Sequence, residues 1–219
     1  AVNTHFHFDH AWGNCEFATQ GAEIVGSEMA QSNDAVSKEW FANPGQFGIT
    51  SEQLEGTTLA APTKTFADKL TLDLGGVTVE LVYHGPTHTN DCITAFIPED
   101  NVLFTGDLLF SKCHPFLAQG DIENWQKVLN SQAETTTATI IPGHGPLSAK
   151  QDLLDMSAYI KAFDPLAREL CAGKKPEDAL AIAQELIPRL PDQQRSMESF
   201  MMVVMNLQMR YLQQPVTEK

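Results

Sequence analysis

Apolar and polar residues alternate along the middle of the chain, which is the pattern of half-buried β-strands. Two alternating runs flank the pair Gly75 and Gly76, so a hairpin is predicted there. A turn at residues 98–101 joins two further runs into a second hairpin. The predicted strands cover residues 23–26, 69–74, 77–83, 92–97, 102–104 and 139–141.

Helical spacing of apolar residues marks the regions on either side. A capping box at residues 148–151 begins a long helix that Pro165 is expected to kink or break. Residues 46–65 are rich in Gly, Thr and Pro, so we expect a long loop that shapes the substrate site. Together with the strands, these helices predict an α/β sandwich. The other predicted helices cover residues 10–17, 27–42, 123–133, 176–187 and 192–212.

The last predicted helix repeats methionine every four residues. A stripe of this kind predicts core packing, because methionine fills irregular gaps between helices. The alternative is a Met-rich face that contacts substrate or a second copy of the chain in a homodimer. The repeating residues are Met197, Met201, Met205 and Met209, with Phe200 and Val204 beside them.

Three histidines and an aspartate fall within six consecutive positions: His5, His7, Asp9 and His10. Alternate residues of an extended segment point the same way, so His5 and His7 can share one metal ion. Asp9 and His10 then lie on the following turn and point towards a second ion. Imidazole and carboxylate are ligands that zinc accepts, and neutral imidazole also suits iron and copper.

Three later motifs set a histidine or an aspartate beside glycine at the end of an apolar run. Such positions present a ligand from the carboxyl end of a strand. The motifs are Gly85-Pro86-Thr87-His88-Thr89, Phe104-Thr105-Gly106-Asp107 and Ile141-Pro142-Gly143-His144-Gly145.

Taken in chain order, the four motifs resemble those of the metallo-β-lactamase superfamily of hydrolases, from the first residues to about Pro146. The resemblance implies an αββα sandwich, with residues 1–150 as the metal-binding domain and residues 151–219 as a helical extension packed on it. In that family several strands precede the first motif, whereas four residues precede His5 here. We therefore expect the sandwich to be incomplete at its N-terminus, and any signal peptide to be missing from this sequence.

The resemblance also implies a role for each motif residue. Asp107 would bridge the two metal ions, and Asp9 and Asp107 would be the catalytic carboxylates. The first ion would be held by His5, His7 and His88, and the second by Asp9, His10 and His144.

Composition and charge limit the classes of partner that the chain is expected to bind. With 219 residues, 42% of them hydrophobic, the chain can build one domain with a large core. The formal net charge of −14 predicts a surface that repels phosphates, so we expect no nucleic-acid partner. No apolar run reaches the roughly 18 residues of a membrane span, so we expect no membrane partner. The four scattered cysteines predict neither a disulfide framework nor a sulfur zinc site, and the compartment stays open between cytoplasm and periplasm.

Four residues near the motifs carry weaker predictions. The His84 imidazole is expected to hydrogen-bond a ligand residue on the side away from the metal. His114 is expected to line the mouth of the site without binding metal, because both ligand sets are already complete. Cys113 is expected to pack, and Lys112 to be a solvated surface lysine rather than a contact for a substrate carboxylate.

The function predicted first is hydrolysis of an ester, thioester, lactone or β-lactam amide in a small-molecule substrate, with two zinc ions activating water. The alternative is a mononuclear iron dioxygenase acting on a thiol or persulfide, in which His5, His88 and Asp107 hold the iron. That alternative leaves His10 and His144 without a role. A binding protein with a degenerate site is a third hypothesis, and the complete ligand set argues against it.

Overall fold

The computed structural model describes residues 1–135, 139–190 and 197–213, with the backbone alone at residues 197 and 198. Within these ranges, strands β1 (Val25–Ser27) and β2 (Lys64–Phe66) form a small parallel sheet. A larger sheet has the strand order β3-β4-β5-β6-β7, antiparallel up to β6 and parallel between β6 and β7. Its strands are β3 (Lys69–Asp73), β4 (Thr78–Tyr83), β5 (Ile93–Ile97), β6 (Val102–Phe110) and β7 (Thr139–His144).

Both predicted hairpins are confirmed, as β3-β4 and β5-β6. Strand β6 differs from the prediction, because it continues to Phe110 instead of ending at Phe104. Its pairing with β7 shifts register on either side of Gly106, whose φ is 50°. Asp107 therefore lies inside an irregular strand rather than in a loop after it.

Along the chain, helices occur both before and after the central strands. Helix α5 contains Pro165 without ending there, so the predicted break is wrong. Its first turn is capped by Asp152, which accepts a hydrogen bond from the backbone N–H of Ala149, one residue later than predicted. The α-helices are α1 (Phe8–Ala11), α2 (Asn14–Thr19), α3 (Asp34–Ala42), α4 (Ile122–Thr135), α5 (Lys150–Cys171), α6 (Ala179–Leu186) and α7 (Met197–Asn206).

Several predicted helices are shorter than their apolar pattern. The one predicted over residues 10–17 is two helices, α1 and α2, separated by Trp12 and Gly13. The one predicted over residues 27–42 begins as a 3-10 helix, Glu28–Asn33, with Ser27 accepting a hydrogen bond from the Met29 backbone. Residues 192–196 of the last predicted helix lie outside the described residues, and a π-turn, Leu207–Tyr211, follows α7.

Two apolar clusters hold the layers together. Between the sheets, Val25 and Phe66 pack against Leu81 and Ile93. On the other face of the large sheet, the helices bury a larger cluster that includes Trp125, Tyr159, Phe163 and Ile140. This is the predicted α/β architecture, with helices α5, α6 and α7 packed over one face of the large sheet.

The three methionines of the stripe whose side chains are described do not enter this core. Met201 is 58% exposed, and Met205 and Met209 are also exposed, so the prediction of core packing is wrong for these three. Of the residues predicted beside the methionines, Val204 is buried in the cluster and Phe200 packs against it, and Val203 and Leu207 are buried there too. The side chain of Met197 lies outside the described residues. No helix among the residues described has both the length and the apolar character of a bilayer span.

Candidate metal site

The segment carrying the first motif starts beside β1. Val2 pairs with Val25, and the Asn3 backbone N–H donates to the Val25 carbonyl at 2.9 Å. The buried Asn3 side chain then donates to the His10 carbonyl at 3.0 Å and exchanges two hydrogen bonds with the Asn14 amide. This amide pair fixes both ends of the motif, and neither asparagine was predicted to matter.

Three imidazoles and one carboxylate form a buried group. His7 Nδ1 lies 3.0 Å from His88 Nε2. The Asp107 Oδ2 atom lies 3.3 Å from His88 Nε2 and 3.7 Å from His5 Nε2. All four side chains offer a ligand atom within one small volume, as a single metal ion requires.

A second group lies nearer to solvent. Asp9 Oδ2 is 3.2 Å from His10 Nε2 and 3.3 Å from His144 Nε2. The side chains of Asp9 and His144 are 36% and 41% exposed, whereas the residues of the first group are buried. A small molecule would therefore reach Asp9 and His144 first.

Asp107 joins the two groups. Its Oδ1 lies 3.1 Å from His10 Nε2, and its Oδ2 lies 3.4 Å from His144 Nε2. Gly143 allows this approach, because a Cβ there would come within 2.0 Å of Asp107 Oδ1. The structure thus brings together all seven residues that were predicted as ligands, although they come from four separate segments of the chain.

The chemistry of this cluster fits divalent metal ions. Among the described residues, His5 Nε2 is a buried atom without a hydrogen-bond partner, and it lies 3.7 Å from the carboxylate that His10 Nε2 contacts at 3.1 Å. Buried polar atoms are normally satisfied, so ring nitrogens that converge on one buried carboxylate fit a bound cation. Imidazole nitrogen and carboxylate oxygen are the donors that zinc and related ions take.

The pKa values of the histidines differ between the same two groups. Burial lowers the pKa of His5 and His7, and lowers that of His88 to about 3, so these imidazoles are neutral, the form that binds metal. Burial also lowers the pKa of His10, but the carboxylates of Asp107 and Asp9 outweigh it and raise the value to about 9. The same carboxylates raise the pKa of His144 to about 10.

The two aspartates show the complementary shifts. Burial raises the pKa of Asp9 and of Asp107, but nearby His10 and His144 outweigh burial and hold both carboxyl pKa values below the usual range. Without metal, the second group is therefore an imidazolium and carboxylate cluster. A metal ion binding there competes with protons.

Hydrogen bonds to the outer ring nitrogens, which face away from the centre of the site, orient two of the ligand candidates. His88 Nδ1 donates to the Phe116 carbonyl at 3.0 Å, which leaves Nε2 for the centre of the site. His7 Nε2 lies 2.7 Å from Gln119 Oε1, which leaves Nδ1 for the centre. Outer contacts of this kind fix ring orientation and basicity at metal sites. Gln119 was not predicted, because a single glutamine in a loop belongs to no motif.

Of the four weaker predictions, those for His84 and His114 are wrong, whereas Cys113 and Lys112 lie as expected. His84 Nε2 bonds the Thr94 hydroxyl at 2.9 Å, so its imidazole supports no ligand candidate among the residues described. His114 does not line the mouth, because it is buried between Tyr159 and Asn206. Cys113 is partly buried against the helical cluster, as expected, and Lys112 is an exposed residue at positive φ.

Aromatic side chains border the cluster. The Trp40 ring lies 5.4 Å from the His7 ring and 5.1 Å from the Phe47 ring. Phe47 in turn stacks on Phe8 at 4.4 Å. All three aromatic side chains are partly exposed. The start of the predicted loop, residues 46–65, thus reaches the neighbourhood of the first motif, and its role in shaping substrate stays a prediction.

Comparison with known proteins gives a family and several curated relatives. A family model described as the metallo-beta-lactamase superfamily matches residues 1–144. The chain is 32% identical over 92 residues to a metallo-beta-lactamase type 2 of Bacteroides fragilis, covering 40% of this chain and 37% of that protein. It is 30% identical over 148 residues to a probable hydroxyacylglutathione hydrolase of Schizosaccharomyces pombe, covering 65% and 46%. The matches therefore span less than half the length of these relatives.

Solved structures agree on the fold. A metallo-beta-lactamase from Pontibacter korlensis superimposes with a TM-score of 0.56 at 22% identity, over 73% of this chain and 67% of the other. The DIM-1 metallo-beta-lactamase exposed to ceftazidime gives 0.55 at 18% identity, over 73% and 66%. At these identities the likeness concerns the fold alone.

Proposed function

Because this chain belongs to the metallo-β-lactamase superfamily, whose model matches residues 1–144, we propose that it is a hydrolase using two metal ions, with zinc as the expected metal. The observation that carries the proposal is Asp107, which lies within 3.7 Å of His5, His10, His88 and His144. One carboxylate shared by two sets of ligands is the arrangement a two-metal site needs.

The ligand roles follow the two groups. His5, His7 and His88 would hold one ion, Asp9, His10 and His144 the other, and Asp107 would contact both. Ions bound there would supply Lewis acidity, which lowers the pKa of a water molecule and polarises a substrate carbonyl. No serine or cysteine nucleophile is then required.

Asp9 is the carboxylate best placed to handle protons. It is partly exposed on the open side of the cluster, whereas Asp107 is buried. Asp9 would accept a hydrogen bond from the attacking water and pass a proton towards the leaving group. Asp107 would stay ionised and hold His10 and His144 in place.

The substrate class is a small molecule with an ester, thioester, lactone or β-lactam amide bond. The aromatic border formed by Trp40, Phe47 and Phe8 favours a substrate with an apolar group beside that bond. The formal charge of −14 disfavours nucleic acid. The iron dioxygenase is less well supported. It gives His10 and His144 no role, whereas both contact Asp107 in the structure.

Metal analysis combined with a substrate panel tests the proposal. We expect about two zinc ions per chain, and hydrolysis of a β-lactam, a lactone or a thioester but not of a phosphodiester. The Asp107→Ala variant is the matched inactive control. One iron per chain with oxygen uptake would support the dioxygenase, and clear phosphodiesterase activity would overturn the substrate class.

A further inference from the structure

The loop between β6 and α4 directs two ligand candidates towards the metal centre. Its Phe116 carbonyl accepts from His88, and its Gln119 side chain bonds His7, as described above. Apart from one turn at its end, residues 112–121 have no regular secondary structure. Contacts from outside the loop must therefore fix its position.

Helix α7 supplies the first of these contacts through Asn206, which is fully buried. Asn206 Oδ1 accepts from the Leu117 backbone N–H at 2.7 Å, and Nδ2 donates to the Pro115 carbonyl at 2.7 Å. The same Nδ2 lies 2.8 Å from His114 Nε2. Both ends of the amide are thus bonded to the loop, which offsets the cost of burying it.

The π-turn after α7 adds a second contact. Arg210 Nη1 donates to the Leu117 carbonyl at 3.0 Å and to the Gly120 carbonyl at 2.8 Å. These two carbonyls lie on either side of Gln119. Asn206 is the last residue of α7 and Arg210 lies in the π-turn that follows, and both side chains contact the same loop. Their contacts reach from His114 to Gly120.

We propose that α7 and its π-turn position the metal centre. Asn206 and Arg210 hold the loop, the loop holds the rings of His7 and His88, and the two rings present their inner nitrogens at a fixed separation. Both are positioning residues and not catalytic ones, since they touch no ligand atom. The inference rests on the proposed function to the extent that His7 and His88 bind metal.

Two substitutions test the idea. Asn206→Asp keeps the size of the side chain but removes the donor to Pro115, and Arg210→Met keeps much of the apolar stem while removing the donor to Leu117 and Gly120. Gln208→Ala, at an exposed position of the π-turn, is the matched control. For each protein, zinc affinity is measured by chelator competition, and the cobalt-substituted form by its absorption spectrum.

We expect zinc affinity to fall about 10-fold in both variants, the lower end of the range for loss of an outer contact. We also expect a changed cobalt spectrum, and no change in either measurement for Gln208→Ala. Wild-type affinity and an unchanged spectrum, together with a lower melting temperature, would show that the two residues serve stability alone and would overturn the proposal.

A measurement on the metal-free protein separates this inference from the proposed function. The ring N–H groups bonded to Phe116 and Gln119 should give slowly exchanging imidazole signals by NMR in wild type. Their loss in both variants supports positioning even if wild type were to bind no zinc, a result that would count against the proposed function alone. Unchanged signals in both variants would overturn the positioning role.

Discussion

Asp107 Oδ2 lies 3.4 Å from His144 Nε2, across the parallel pair of strands β6 and β7. His144 ends β7, where it pairs with Phe110, the last residue of β6. The register shifts around Gly106 turn Asp107 towards the ligand cluster. The last strand pair of the sheet therefore joins the buried group of ligand candidates to the exposed one.

Replacing Asp107 by asparagine should abolish the second metal site. The amide keeps the shape of the side chain but removes the charge that attracts metal at His10 and His144. We expect fewer than two zinc ions per chain and a loss of hydrolysis of at least about 100-fold, measured by elemental analysis and by initial rates.

Asp100→Asn is the control for a lost carboxylate, because Asp100 is exposed in the turn between β5 and β6. It should leave metal content and rate unchanged. Two zinc ions per chain in Asp107→Asn would contradict the bridging role.

Without metal, the protein should be most stable near pH 6.5. Burial lowers the pKa of five histidines, so below pH 6.5 the unfolded chain takes up protons that the folded chain excludes, and stability falls as the pH falls. Two histidines have raised pKa values, so the folded chain keeps protons that the unfolded chain releases, and stability falls as the pH rises towards about 9. The lowered group is His5, His7, His84, His88 and His114, and the raised pair is His10 and His144.

Melting temperatures in a chelating buffer at about pH 5.5, 6.5 and 8.5 check this expectation. His144→Gln removes one of the two raised pKa values, so the decline between pH 6.5 and 8.5 should shrink. An alkaline decline of full size in that variant would show that other groups cause it.

The ligand candidates could be predicted from sequence because each belongs to a short motif whose residues act together. Gln119 and Asn206 could not, since each depends on a tertiary contact that leaves no local pattern. The methionine stripe misled for a related reason. Helix α7 and the π-turn after it carry a second apolar stripe through Val203 and Leu207, and packing against the other helices decides which stripe is buried.

Trp40 should contribute to substrate binding more than to catalysis. It lies beside His7 but offers no ligand atom, so Trp40→Ala removes an aromatic surface that is worth about 0.5–1.5 kcal/mol. We expect KM for an apolar ester or thioester to rise about 2- to 10-fold with kcat nearly unchanged. Phe17→Ala, at an exposed aromatic position of α2, should change neither. An equal fall in kcat would place Trp40 in the chemical step instead.

Gly143→Ala should displace the Asp107 side chain, although the substitution replaces none of the ligand candidates. A Cβ at position 143 would lie 2.0 Å from Asp107 Oδ1 and 2.7 Å from the Gly106 carbonyl carbon, and the second contact is with backbone that has little room to move. Overpacking of this kind costs about 1–3 kcal/mol, which for a chain of this size lowers the melting temperature by about 2–12 °C. We also expect the bridging carboxylate to shift and zinc content to fall below two per chain, measured on the same samples. Gly45→Ala, where a Cβ meets nothing within 4 Å, should match wild type in both measurements. Full zinc content in Gly143→Ala would mean that Asp107 can bind metal from a displaced position, and that its close fit against β7 is not required.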